Sequence, residues 1–330
     1  MSKTVVLRAI GGPENLAFED VATRAPEQGE VKLRVQAVGL NRAELMYMGG
    51  YYFEQPALPS RIGYEAAGVV EAVGPGVDAG WVGKQVGTVP GYSMNKYGVL
   101  GEEAIVPESS LAEYPAKLSA AEGAAVWMQY VTAYAALVLQ GGVRKGDAVL
   151  ITAASSSVGL AAIQIVKAEG GVAIATTRRG NKRDALLAEG ADHVIATEEE
   201  DLVARVEQIT DGKLVRTVYD PVAGSFVEKL AKVTARGGTI FEYGALSMEP
   251  TPFPLMDAIG KAIAIRGSSL MEVSGDPEQL KEAKRYIVER LEDGRFKPRI
   301  AKSFPLAQAK EAYQYLASNQ QIGKVVITVP

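Results

Sequence analysis

The chain has 330 residues, 47% of them apolar and 22% charged, and its 35 Lys and Arg against 39 Asp and Glu leave a formal charge of −4. That length favours two domains, and a mildly acidic, well-mixed composition offers no broad basic field to a nucleic-acid backbone. With no cysteine and one histidine, His193, the sequence excludes disulfides, thiolate catalysis and cysteine-ligated zinc, and a Ser-His-Asp triad would have to be built on that imidazole alone.

The opening residues Met1 to Leu7 lack the long apolar run of a secretion signal. The richest apolar stretch, 117–140, is broken by Glu122, Gln129 and several tyrosines, so no membrane span is expected. The default expectation is a cytoplasmic protein without membrane or nucleic-acid partners. Residues 31–38 alternate at period two, as a half-buried strand does, and 63–73 is rich in small and branched residues before Gly74-Pro75-Gly76. Together with frequent glycines up to Gly91, this predicts a small, irregular, mostly β domain with a barrel-like core.

After Lys117 the rhythm changes. Helix is expected over 119–140, a short buried strand at 147–153, a helix at about 158–169 and a strand at 172–177. Helix near 182–189, strand around 193–195, helix near 199–209, strand at 215–219, helix at 225–234 and strand at 239–243 follow. A strand at 262–266 closes the run. This alternation predicts a Rossmann-type, doubly wound parallel sheet covered by helices on both faces, an α/β domain beside the β-rich one. The tail is expected to hold a helix at 277–292, a strand near 300–304, a helix at 308–318 and a strand at 323–329. It breaks the βαβ rhythm, and its pieces either extend the second domain irregularly or return to the amino-terminal one.

The strongest chemical signal is the strand–turn–helix at 147–169. In a dinucleotide fold the first helix presents unpaired backbone N–H groups to the pyrophosphate, and small turn residues allow close approach. Here the turn reads Ala153-Ala154-Ser155-Ser156-Ser157-Val158-Gly159. Ala154 and Ser156 stand where the first two glycines of G-x-G-x-x-G would be, and Gly159 is retained. Serine hydroxyls can donate to phosphate oxygens in their stead, although a plain serine cap on a buried helix reads the same way locally.

The second strand ends at Thr177 without the acidic residue that usually accepts hydrogen bonds from the adenosine ribose. Instead Arg178-Arg179-Gly180-Asn181-Lys182-Arg183 places four cations in six residues. Such a loop can simply be solvated; beside a dinucleotide it suits a ribose 2′-phosphate, so the expected cofactor is NADP(H).

Further markers are Gly39-Leu40-Asn41-Arg42-Ala43-Glu44, Gly63-Tyr64-Glu65-Ala66-Ala67-Gly68, Thr132-Ala133-Tyr134, Gly190-Ala191-Asp192, Phe304-Pro305-Leu306 and Gly323-Lys324-Val325-Val326. In this order and spacing the sequence resembles the medium-chain dehydrogenase/reductase superfamily, and within it the zinc-free quinone oxidoreductase-like branch, over essentially its whole length. The resemblance implies a GroES-like, twisted-barrel catalytic domain over 1–125, a nucleotide-binding domain over 126–267, and a segment 268–330 that completes the catalytic domain. A cleft between the domains would hold nicotinamide and substrate.

It also implies that Asn41, Tyr64 and Met128 occupy the places of the cysteine, histidine and cysteine that bind catalytic zinc in other relatives, so no metal is expected. Glu44 and Glu65 are expected to organise backbone and side chains. By the same resemblance Asn41, Gln129 and Thr132 approach the cofactor, and Tyr52 lines the substrate pocket with Tyr47 and Tyr51 as competitors. Tyr243, Gly244 and Ala245 end a strand on the ligand side of the sheet, with Asp220-Pro221-Val222 nearby. The full cofactor set is thus Asn41, Gln129, Thr132, Ser155, Ser156, Ser157, Val158, Gly159, Thr177, Arg178, Arg179, Lys182, Tyr243, Gly244 and Ala245. The catalytic set is Asn41, Tyr52 and Tyr64, while His193 is a packing or surface residue.

Without zinc to polarise a saturated carbonyl, the chemistry favoured is hydride transfer to an already electrophilic conjugated acceptor, a quinone or the C=C bond of an α,β-unsaturated carbonyl compound. The alternatives are a zinc-free carbonyl or alcohol oxidoreductase and a non-enzymatic dinucleotide-binding protein. The resemblance further suggests a homodimer joined near 262–267.

Overall fold

In the computed structural model the structure describes residues 1–22 and 24–330, and two compact units emerge. One comprises Met1–Met128, Ser274–Glu292 and Pro298–Pro330; the other comprises Gln129–Val273 and Asp293–Lys297.

Strands β1 (Ser2–Leu7) and β2 (Leu16–Val21) pair antiparallel at the start of the first unit. Next come β3 (Glu30–Gly39), helix α1 (Arg42–Met48), β4 (Ser60–Arg61), β5 (Glu65–Val73) and β6 (Gln85–Thr88). Helix α2 (Met94–Tyr97), β7 (Glu103–Pro107), β8 (Leu111–Ala112) and α3 (Ala120–Gly123) complete its amino-terminal part. The alternation read at 31–38 is the inner pattern of β3, whose Val31, Leu33 and Val35 are buried while Arg34 is exposed.

The second unit opens with α4 (Trp127–Tyr134, from Gln129 onward), which runs into a π-helical turn at Ala135–Gln140. The single helix expected over 119–140 is therefore three segments. Ser119 caps α3 by accepting from the Glu122 amide, the chain breaks helix geometry at Ala124, and the last stretch widens to the π form.

Then β9 (Ala148–Ile151), α5 (Ser157–Ala168), β10 (Val172–Thr177), α6 (Arg183–Ala188), β11 (His193–Ala196), α7 (Leu202–Ile209), β12 (Val215–Asp220), α8 (Phe226–Val233), β13 (Thr234–Glu242), α9 (Leu255–Lys261) and β14 (Ala264–Gly267) alternate along the chain. All are parallel, in the order β11-β10-β9-β12-β13-β14. This is the doubly wound arrangement, and its order reverses at β9, the position where such sheets bind ligands. The continuous apolar run of β9 suits a strand covered on both faces. Leu150, Ile174, Ile195, Val218 and Ile240 from five neighbouring strands, all fully buried, form one core with Val227 and Leu230 of α8.

Short helix α10 (Met271–Ser274) is followed by α11 (Pro277–Glu292), β15 (Ile300–Pro305), α12 (Ala309–Ala317) and β16 (Lys324–Thr328). The Asp276 carboxylate accepts from the Glu278 and Gln279 amides, and Pro277 sits at the first helical position, which starts α11 where the sequence placed it. In the first unit, β16 pairs antiparallel with β3 and parallel with β15, so the tail enters a seven-stranded sheet built largely from residues before 113. The fold is thus an α/β Rossmann-type domain and a mostly β GroES-like domain. No helix among the described residues is long and apolar enough to cross a membrane.

Candidate functional site

In the second unit the Ala153–Gly159 turn lies at the sheet's order reversal. The Ser156 hydroxyl accepts from the Gly159 amide at 3.0 Å and caps α5, leaving the other first-turn amides without intrahelical partners. The turn is made without its first glycines by putting Ala153, one residue earlier than the first glycine position, at φ 44°. Ser157 and Val158 are half-buried in the first turn of α5, and the Ser155 hydroxyl lies 3.1 Å from Lys182 Nζ.

The four cations after β10 divide sharply. Arg179 is bound to Glu198 at 2.8 Å, and Arg183 to Glu200 at 2.5 Å and to the Val194 carbonyl. Arg178 has no carboxylate partner among the described residues, and Lys182 reaches back to the phosphate-type turn. Burial, then repulsion from Arg178, lowers the Lys182 pKa. A guanidinium and an ammonium side by side next to this turn are the donor chemistry of a phosphate site. Thr177, at the end of β10, is buried and offers its carbonyl to the Thr197 hydroxyl.

Further along the same unit, Gln129 and Thr132 lie on α4, both buried, and Gln129 Oε1 has no hydrogen-bond partner. Tyr243 follows β13 and stacks on Tyr219 with ring centroids 4.0 Å apart, its hydroxyl buried and unpartnered; Gly244 and Ala245 follow it towards the surface. The Ala153–Gly159 turn, Thr177 with the cations after it, and Tyr243–Ala245 thus follow the carboxyl ends of β9, β10 and β13. His193 is half-buried at the start of β11, away from those ends.

Sequence reasoning missed a carboxyl pair here. Asp220 and Glu242 are partners in register at the ends of β12 and β13. Asp220 is fully buried and accepts from the Thr152 hydroxyl and, at 2.6 Å, from the Ala223 amide. Both Glu242 oxygens are buried. Burial, then the neighbouring Asp220, pushes the Glu242 carboxyl up to about 9, so at neutral pH it holds a proton that the unfolded chain, near the ordinary value of 4.5, would release. The folded form therefore binds more protons than the unfolded one between these limits, and stability falls as pH rises towards 9. Glu242→Gln keeps a donor for Asp220 and removes the titration. The variant is expected to gain on the order of 1–2 kcal/mol relative to wild type between pH 6 and pH 8.5, with allowance for partial exposure, in urea unfolding at the two pH values. A difference independent of pH would contradict the shared proton.

In the first unit, Asn41 and Tyr64 lie beside two buried carboxylates, Glu44 and Glu65, and a buried lysine, Lys324. Lys324 on β16 and Glu65 at the start of β5 are both fully buried and 2.5 Å apart. Lys324 Nζ also donates to Asn41 Oδ1 at 2.6 Å, and the Asn41 amide donates to the Gly39 carbonyl at 2.9 Å. Glu65 Oε1 accepts from the Trp127 and Met128 amides, and Glu44 accepts from the Asn41 and Tyr64 amides and the Tyr313 hydroxyl. Both carboxylates thus organise backbone, as expected. Asn41 differs from expectation, because both ends of its side chain are engaged within this network. Lys324, 283 residues away, was not legible as its partner; the one signal was a lysine opening the otherwise apolar strand Lys324-Val325-Val326-Ile327.

Tyr64 lies in an aromatic row with Tyr52 at 6.1 Å between centroids and Tyr92 at 5.8 Å. Burial raises both the Tyr52 and Tyr64 phenols, and the neighbouring Tyr52 raises Tyr64 further. Tyr52 is half-buried, with the buried Tyr64 behind it. Tyr47 is fully buried and bonded to Ser60 and Asn95, while Tyr51 is 49% exposed.

Zinc does not fit this network. The Asn41 oxygen is already bound to a lysine ammonium, and no group of three His, Cys, Asp or Glu that could hold a metal occurs among the described residues.

Residues 27–116 match the alcohol dehydrogenase GroES-like domain family, and 157–289 match the family described as zinc-binding dehydrogenase. The chain is 31% identical to a quinone oxidoreductase of Pseudomonas aeruginosa over 328 residues, covering 99% of each. It is 28% identical to a 2-haloacrylate reductase of a Burkholderia species over 339 residues, again covering 99% of each. The crystal structure of Escherichia coli quinone oxidoreductase complexed with NADPH superposes with a TM-score of 0.91 at 29% identity, covering 99% of each chain.

Proposed function

Because the chain belongs to the medium-chain dehydrogenase/reductase superfamily, in its quinone oxidoreductase-like branch, we propose that this oxidoreductase is a zinc-independent, NADPH-dependent reductase of quinones or of the C=C bond of α,β-unsaturated carbonyl compounds. The observation that carries the reading is the pairing of the Tyr52 and Tyr64 rings, 6.1 Å between centroids, which sets a phenol donor where the resemblance places a metal ligand in metal-dependent relatives. Names of relatives that reduce quinones and haloacrylates, both conjugated electrophiles, support it.

The donor set of the second unit fits NADP(H). Ser155, Ser156, Ser157, Val158 and Gly159 would hold the pyrophosphate, Arg178 and Lys182 the 2′-phosphate, and Gln129, Thr132 and the Tyr243–Ala245 segment the nicotinamide end. Thr177 supplies backbone beside the ribose, and Arg179, paired to Glu198, contributes mainly by shaping the loop. The bound cofactor supplies the hydride. Addition of that hydride to a conjugated acceptor leaves an enolate or hydroquinone anion, which the Tyr52 hydroxyl stabilises by donation and then protonates. Solvent water returns a proton to the half-buried Tyr52, while Tyr64 stays protonated beside it. Asn41 holds Lys324, and through it Glu65, in place; its position in the network is that of an organiser rather than of a free pocket amide.

A second copy of the chain is the proposed macromolecular partner. β14 is the edge of the parallel sheet, and Leu255, Met256 and Ile259 of neighbouring α9 are all more than half exposed, an arrangement that suits pairing of two such edges. The small-molecule substrate is electrophilic, and the proposed location is cytoplasmic.

The test is initial-rate oxidation of NADPH and NADH after metal chelation, across quinones, enones and saturated ketones. Chelation-resistant turnover of conjugated acceptors with NADPH is expected; turnover confined to saturated ketones would overturn the reading. In the same assay Arg178→Ala with Lys182→Ala is expected to raise the KM for NADPH about 10–100-fold while leaving NADH within about threefold.

A further inference from the structure

We propose that Asn95 is the positioning residue for Tyr52, clamping the aromatic loop 51–57 to helix α2; the inference rests on the reading of Tyr52 as the residue that faces the acceptor. The loop packs through Tyr52 on Tyr64, while Tyr51 is 49% and Phe53 84% exposed, so polar bonds supply much of what holds it. The Asn95 amide Nδ2 donates to Glu54 Oε1 at 3.0 Å and to the Gln55 carbonyl at 2.9 Å. Its Oδ1 accepts from the Ala57 amide at 2.7 Å and from the Tyr47 hydroxyl at 2.6 Å. The Gln55 side chain in turn donates to the Tyr52 carbonyl at 3.2 Å, so Gln55 links Asn95 to Tyr52 through two hydrogen bonds. Glu54 closes the clamp from the loop side by accepting from the Met94 amide at 3.0 Å and from the Ser93 hydroxyl.

The anchor itself is rigid. Met94 is fully buried, and the Tyr97 hydroxyl donates at 3.0 Å to Glu30, a buried carboxyl held at about 2 chiefly by Arg24. A carboxamide is the one side chain of this size that donates twice and accepts on the same plane. Aspartate at 95 would lose both donors and set its charge against Glu54. Exchanging the two groups, so that an aspartate faces a glutamine, restores a donor–acceptor pair across the same gap.

The experiment uses Asn95→Asp, Glu54→Gln and the double variant in the full chain. It reads hydrogen exchange over 51–58, the melting temperature, the Kd for NADPH, and kcat and KM with a conjugated acceptor. Expected for Asn95→Asp are faster exchange at Ala57 and its neighbours and a fall in kcat of tenfold or more. Its NADPH Kd should stay within twofold and its melting temperature within a few degrees. The double variant should recover part of the exchange protection and of kcat, because the contact to residue 54 returns while the Gln55 carbonyl stays without its donor. Wild-type exchange and turnover in Asn95→Asp would overturn the proposal. So would parallel losses in NADPH affinity and melting temperature, which mark a residue of general folding importance. If loop exchange responds as expected while the wild type reduces no conjugated acceptor, the clamp stands and the catalytic reading of Tyr52 is what fails.

Discussion

Lys324→Met is expected to destabilise the first unit by about 3–5 kcal/mol, because it removes one half of a fully buried ion pair and strands the other half. The ammonium has no route to water and is held by Glu65 Oε2 at 2.5 Å and Asn41 Oδ1 at 2.6 Å. Methionine fills similar volume, so packing is nearly kept and the loss is electrostatic. Glu65 would remain with two amide donors but without its cation. A drop in melting temperature of about 10 °C is the expected reading by thermal scan. Glu65→Gln in the same chain removes the stranded charge, and the double variant should recover part of that loss. A single variant melting within 2 °C of wild type would mean that the pair contributes little.

The second large effect is expected at Gly159. A Cβ there would lie 2.6 Å from both the Cα and the carbonyl oxygen of Ala154, closer than real side chains sit. Ala154 cannot retreat easily, since its amide donates to the Thr176 carbonyl at 3.1 Å, and α5 is anchored by buried residues such as Leu160, Ile163 and Val166. The strain must therefore open the turn itself, the part proposed to hold pyrophosphate. Gly159→Ala is expected to weaken NADPH binding at least tenfold and Gly159→Val at least a hundredfold, measured by titration of cofactor fluorescence. Far-ultraviolet circular dichroism should remain close to wild type. Undiminished NADPH affinity in Gly159→Val would remove this turn from the cofactor site.

These two positions differ in how far the sequence announced them. Gly159 stands in a local strand–turn–helix pattern whose spacing carries its own explanation. Lys324 belongs to a pattern too, but nothing near it in the chain says that its partners are Asn41 and Glu65. The cations after β10 show the same limit. Four were visible as a cluster, yet Glu198 and Glu200 pair two of them, and this follows from the return of the chain alongside Thr177 and Val194 rather than from the cluster itself. The strand expected at 262–266 begins instead at Ala264, because Ala262 takes φ 54° and ends α9 in a left-handed turn.

What the sequence determined by itself is the alternation of elements from β9 to β14, the amphipathic and fully apolar periods that make it a covered parallel sheet, and the capped turn that opens α5. These are short-range properties, set by side-chain periodicity and backbone propensity within a dozen residues. The tertiary structure alone decided which charges are paired, which carboxyl keeps its proton, and which phenols stand side by side. Those depend on desolvation and on partners far away in the chain. Asp220 meets Glu242, Asn95 meets Glu54 and Lys324 meets Glu65 only after the sheets and helices have closed around them.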